Sequence, residues 1–101
     1  MTSKDRKYLR GLAHNLNPVV IVGQRGVSDS VVRQVDQALT DHELIKVRLG
    51  GECPDGRDEA AAALGERTGC DVAGIIGRVL ILYRRHPEHP RIALPAAASA
   101  E

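Results

Sequence analysis

The chain contains no phenylalanine and no tryptophan, and its aromatic surface is limited to Tyr8 and Tyr83. That scarcity removes the stacking platforms on which RRM and OB-type modules splay bases, so any RNA contact has to rest mostly on backbone and shape. Cysteine is equally scarce. Cys53 and Cys70 show no Cys-x-x-Cys spacing and are too few for a secreted disulfide scaffold, so both are expected as free thiols. No apolar run approaches the roughly 20 residues that cross a bilayer, and residues 1–6 lead into a polar helix rather than a signal-peptide core. The expectation is a cytoplasmic protein without membrane contact.

Catalytic patterns are missing too. The segment His42-Glu43-Leu44-Ile45-Lys46 begins like a zinc-protease helix but carries Lys46 where the second histidine is required. His86 and His89 are three apart, yet Pro87 lies between them and no cysteine ligand pattern accompanies them, so a plain basic loop is expected and no metal site. Neither a P-loop nor a dinucleotide glycine pattern occurs, and the serines lie in caps or tails without a nucleophile elbow. The reading is a protein that is not an enzyme and uses no cofactor.

With 101 residues, 43% of them hydrophobic, the chain can build one core. Residues 3–95 are expected to form the domain and residues 96–101 a frayed tail. The net charge of +1 hides a segregation of charge. Residues 1–26 carry five cations (Lys4, Arg6, Lys7, Arg10, Arg25) against Asp5 alone, whereas residues 50–71 carry six carboxylates against Arg57 and Arg67. One basic and one acidic face are expected.

Periodicity gives the order α-β-α-β-α-β-β. Residues 3–14 read as an amphipathic helix with Leu9, Leu12 and then Leu16 on one side and Lys4, Lys7, Arg10 and His14 on the other. Residues 19–22 are continuously apolar, which predicts a strand buried on both faces. A helix follows over 29–41, capped by Ser28, with Val31, Val32, Val35, Ala38 and Leu39 as its core stripe. Residues 43–49 alternate, sending Ile45, Val47 and Leu49 one way and Lys46 and Arg48 the other. An alanine-rich helix over 58–68 ends at Gly69, and strands 72–76 and 79–83 meet at Gly77-Arg78, whose first glycine suits a II′ hairpin.

The segment Gly23-Gln24-Arg25-Gly26, between a strand and a capped helix, is the most informative stretch. Two glycines three apart allow positive φ and close approach of a ligand backbone, and successive N–H groups can then face an anion with Arg25 beside them. Such a pair also occurs as a purely steric turn. Asp29 already complements the helix dipole, so a phosphate is expected on the loop rather than at the helix end.

Four separated blocks carry a family resemblance: residues 9–14, 18–26, 42–47 and 76–84. Together they resemble the CRM domain in its stand-alone bacterial YhbY-like form. The resemblance implies an α+β fold similar to the C-terminal domain of translation initiation factor three, a single domain with a mixed four-stranded sheet packed against helices. It also implies RNA as partner, in particular ribosomal RNA of large-subunit precursors, with ribosomal proteins as further partners. Plant relatives embed the domain in organellar splicing factors, and the absence of any further domain here fits the ribosomal role better.

By position, Gly23, Gln24, Arg25 and Gly26 correspond to the family's phosphate-contacting loop. Charge placement adds Lys4, Lys7 and Arg10, and, ranked lower, Lys46, Arg48, Arg78 and Arg84. The acidic stretch, residues 52–71, is expected to face away from RNA; if it borders the loop, this footprint is wrong. Two other readings remain open: an adaptor that docks a basic protein through its acidic face, with the glycines only a turn, and tRNA or initiation-complex binding by analogy of fold.

Overall fold

The structure is a computed structural model and describes residues 1–95. It contains α1 (Ser3–Ala13), β1 (Pro18–Val22), α2 (Asp29–His42), β2 (Leu44–Leu49), α3 (Arg57–Thr68), β3 (Asp71–Ile76) and β4 (Val79–Tyr83). The expected element order holds. The expected tail, residues 96–101, lies outside the described residues.

The four strands form one mixed sheet in the order β1-β2-β4-β3. β1 runs parallel to β2, and β4 is antiparallel to both β2 and β3. The parallel pair needs a crossover, and α2 supplies it. Gly77 has a φ of 59° and Arg78 has no positive φ, as a II′ turn between β3 and β4 requires.

Alternation along the strands gives the sheet two covered faces. On one, Val20, Val22, Ile45, Val47, Leu49, Leu80 and Leu82 pack against Val31, Val35 and Leu39 of α2 and Ala60, Ala61 and Leu64 of α3. The alanines bring α3 close to this face. On the other, Leu9 and Ala13 of α1 pack with Leu44, Ala73, Ile81 and Tyr83, and Ile92 and Leu94 join them. Each fully buried Leu, Ile or Val contributes ~1.5–3 kcal/mol relative to leaving it in water, so both clusters are needed to hold a domain of this size.

The helix boundaries follow capping chemistry. Thr2 and Asp5 form a reciprocal capping box at α1, and the Ser28 side chain accepts from the Val31 N–H at α2. Gly69 ends α3 in the left-handed region. α2 ends differently: Glu43, a non-glycine residue with φ 62°, turns the chain directly into β2. Its carboxylate is buried and accepts from the N–H groups of His86, Arg91 and Ile92 at 2.9, 2.6 and 3.1 Å. Three hydrogen bonds offset the strained φ and fasten the segment after β4 to the sheet.

One expectation fails in β1. Val20 and Val22 are buried, but Val19 and Ile21 are 50% and 58% exposed. β1 is an edge strand, and α1 crosses the sheet without reaching the Ile21 end, so only one face of the strand is covered. Leu12 and Leu16 are likewise half-exposed, leaving Leu9 as the leucine of that stripe that α1 buries.

Candidate nucleic-acid interface

The segment from Gly23 to Gly26 is a tight turn in which the Gly23 carbonyl accepts from the Gly26 N–H at 3.0 Å. Gln24 and Arg25 occupy the corners and are exposed. Among the described residues, neither of their backbone N–H groups has a hydrogen-bond partner, and Arg25 makes no ion pair. The turn, together with Ser28, Ser30 and Val31 in the opening of α2, lines a shallow depression of about 300 Å³. Two unpartnered amides, an unpaired guanidinium and a capped helix start therefore meet in one concave place, an arrangement that suits an anion.

The two glycines do different work. Gly26 is buried with φ 65°, and a Cβ there would stand 2.3 Å from Asp55 Oδ2. Asp55 Oδ2 also accepts from the Val27 N–H at 2.9 Å. Gly26 is glycine because the fold requires it. Gly23 has no positive φ, and nothing lies within 4 Å of where its Cβ would be. The space in front of Gly23 is open to a ligand.

Asp55 corrects the expectation that the acidic stretch faces away, because one of its carboxylates borders the loop. The footprint drawn from sequence is therefore wrong on that side. The Val27 N–H is taken by Asp55, which leaves the Gln24 and Arg25 amides as the turn's unpartnered donors among the described residues. A second acid near the turn is partly neutralised: Asp29 pairs with Arg67, whose hydrogen bond and charge hold the Asp29 carboxyl below its ordinary range. The helix start is thereby less hostile to an anion than Asp29 alone implies.

The other basic residues separate into free and engaged ones. Lys4 and Lys7 are exposed on α1, and their ammonium groups make no hydrogen bond to a described residue. Arg10 lays its stem over Gly74, where a Cβ would be 2.6 Å from its Cδ, and donates to the Ala73 carbonyl at 3.1 Å. Lys46 Nζ donates to the His14 carbonyl, tying β2 to the end of α1. Arg48 is exposed in a row that crosses the sheet through Ile21, Arg48, Val79 and Ile76. Arg78 donates to the carbonyls of Leu49 and Gly50 at 3.2 and 2.7 Å and locks the hairpin against the end of β2.

Arg84 is the most committed of these cations. Its guanidinium donates to Asp36 Oδ1, the Asp36 and Thr68 carbonyls and Thr40 Oγ1 at 2.6–3.0 Å, clamping α2 to the end of α3. It lies behind the sheet from Lys4 and Lys7, on the α2 and α3 side. Sequence reasoning missed Asp55 and Glu43, since their partners lie 28 or more residues away. A signal existed only for Asp55, which sits in the turn sequence Cys53-Pro54-Asp55-Gly56.

Among the described residues no helix is long and apolar enough to cross a membrane, and no group of three or more metal-ligating side chains occurs. Both cysteines are free, and burial raises the Cys70 thiol above its ordinary pKa.

Comparison with known proteins gives a consistent picture. The family profile described as "CRS1 / YhbY (CRM) domain" matches residues 1–84. The chain is 35% identical over 95 residues to the Bacillus subtilis protein named "Probable RNA-binding protein YqeI", covering 94% of this chain and 99% of that one. It is 37% identical over 95 residues to a Haemophilus influenzae protein named "RNA-binding protein", covering 94% and 95%. The solution structure of a hypothetical Staphylococcus aureus protein, described as a candidate RNA binder, superposes with a TM-score of 0.81 at 36% identity over 94% of this chain and 99% of that one. With the family profile matching residues 1–84 and relatives at 35–37% identity over nearly the full length, the chain belongs to the CRS1/YhbY (CRM) domain family.

Proposed function

We propose that this protein binds RNA through the backbone of the Gly23–Gly26 turn and that its RNA is ribosomal, in precursors of the large subunit. The observation that carries the RNA reading is the depression beside α2, where the Gln24 and Arg25 amides and the Arg25 guanidinium have no partner among the described residues. Relatives at 35–37% identity are named as RNA-binding, which supports the same reading. The ribosomal target rests on the family resemblance.

The mechanism is electrostatic positioning. Gly23 lets a phosphate approach the turn, the Gln24 and Arg25 amides donate to it, and Arg25 supplies the counter-charge. Lys4 and Lys7, on α1 across the sheet from α2, offer a second, separate basic contact to the same RNA, and Arg48 is exposed opposite Ile21 on β2. Arg10, Lys46, Arg78 and Arg84 shape and brace the surface first, because the fold already uses their donors. Affinity then falls with salt by about 0.7–0.9 log units per log unit for each phosphate neutralised.

Sedimentation of the tagged protein from a lysate, with and without nuclease, tests the assignment. Co-migration with large-subunit precursors that nuclease abolishes supports it. A position near free protein that nuclease does not change favours a protein-docking adaptor instead.

A further inference from the structure

β1 ends the sheet, so one of its edges has no strand beside it among the described residues, and α2 packs over β1 and β2 next to that edge. Between them lies a groove of about 530 Å³. Its floor is apolar, made by Val19, Val20 and Ala38. Its rim is one stripe of α2, formed by Ser30, Arg33, Gln34, Gln37 and Asp41, with His42 at its far end. These positions recur at helical spacing and face one way for the length of the helix, about 16 Å from Ser30 to Asp41 at 1.5 Å per residue. The groove is continuous with the anion depression at the turn, because Ser30 lines both.

The rim carries two amides and one guanidinium beside the Asp41 carboxylate and His42, and it adjoins main-chain donors and acceptors of an unpaired strand edge. Base edges are planar arrays of donors and acceptors with apolar faces. They match a narrow apolar floor flanked by amide side chains and exposed backbone. With Tyr8 as the one exposed tyrosine among the described residues, stacking platforms are few, which favours edge contacts in a groove as a route by which this chain touches bases.

We propose that the groove between α2 and the free edge of β1 holds unpaired bases of the same RNA strand whose phosphates the Gly23–Gly26 turn binds. This inference rests on the RNA reading above. Gln34 and Gln37 make the edge contacts, with Arg33 at the mouth nearest the turn. Both glutamines are engaged only locally, Gln34 with Ser30 Oγ at 3.4 Å and Gln37 with Asp41 Oδ1 at 3.0 Å, so each can exchange its partner for a base without opening the fold. In a duplex the Watson–Crick edges are already paired, so the groove suits unpaired bases.

The test compares an oligoribonucleotide with an abasic oligoribonucleotide of equal length at one salt concentration, using the wild type and Q34A/Q37A. Both positions are exposed, and alanine favours a helix, so the variant should melt no lower than the wild type. The wild type is expected to bind the base-bearing strand about tenfold more tightly than the abasic one, and the variant to lose that preference while keeping its abasic affinity within about twofold. Equal wild-type affinity for the two strands, or a preference that survives in Q34A/Q37A, overturns the groove assignment and leaves the phosphate reading standing. Failure of the wild type to bind either strand removes the RNA reading itself. Resonance shifts of β1 amides caused by an added extended peptide, with none caused by RNA, would make the edge a strand-addition site and overturn the proposal.

Discussion

The Asp55 carboxylate rests against the α-carbon of Gly26, with its Oδ2 2.3 Å from where a Cβ would stand. The two are 29 residues apart in the chain, and their contact divides a symmetrical-looking glycine pair into a structural member and an open one.

Substituting each glycine separates these roles. Gly26→Ala introduces strain at φ 65° and forces Asp55 off the Val27 N–H, and is expected to cost about 2–4 kcal/mol; Gly26→Asp adds like charge and costs more. Gly23→Ala meets no atom and is expected to leave the melting temperature within about 2 °C or raise it slightly. Its RNA affinity should nevertheless fall. Thermal melts paired with binding titrations decide this, and an unchanged affinity for Gly23→Ala would sink the assignment of that space to a ligand.

Arg25 and Arg84 offer a matched comparison. Arg25→Ala removes a cation with no ion pair among the described residues, so stability should hold while the salt slope of RNA binding drops by about one. Arg84→Met removes the clamp between α2 and α3 and is expected to cost about 1–3 kcal/mol with the slope unchanged. Salt titrations on the two variants check it.

Glu43 holds the segment after β4 through three N–H groups, two on Oε1 and one on Oε2. Glu43→Ala should cost about 2–4 kcal/mol, because three donors lose their acceptor. In Glu43→Gln the amide oxygen can still serve Arg91 and Ile92, but the amide nitrogen faces the His86 N–H, so a cost of about 1–2 kcal/mol is expected. Denaturant unfolding ranks the variants, and limited proteolysis should cut first within residues 86–94.

The pair of Asp29 and Arg67 predicts a pH dependence of definite sign. The folded carboxyl titrates below its usual value of 3.8, so its contribution is present above that value and is lost as pH falls through the lower folded pKa. Both groups are largely exposed, so the effect is small. The stability gap between wild type and Arg67→Met is expected to be present at neutral pH and to shrink towards pH 3. A gap that widens on acidification would contradict the pairing.

Local signals were enough for the elements themselves. Ser28 before an apolar stripe marked α2, the alternation of Ile45, Val47 and Leu49 with Lys46 and Arg48 marked β2, and Gly77 marked the hairpin. The same reasoning misjudged β1, because a run such as Val19-Val20-Ile21-Val22 is equally apolar whether one face is covered or two. Coverage depends on where α1 crosses, and nothing within the strand encodes that.

The candidate site divides the same way. Its turn was legible because glycine spacing limits backbone conformation over a few residues. Which of the cations remain free was not. Lys7 and Arg84 look alike as sequence, yet one points into solvent and the other donates to Asp36, Thr40 and Thr68.

The sequence by itself determined the element order, the strand-turn-helix setting of Gly23 and Gly26, and the scarcity of aromatic stacking platforms, since each follows from composition or spacing of near neighbours. Tertiary structure alone decided that Asp55 meets Gly26, that Glu43 is a buried anchor, that Arg84 is spent inside the fold and that β1 lies at an edge beside α2. Those outcomes depend on contacts between residues far apart in the chain, whose geometry is fixed only when the sheet order brings them together.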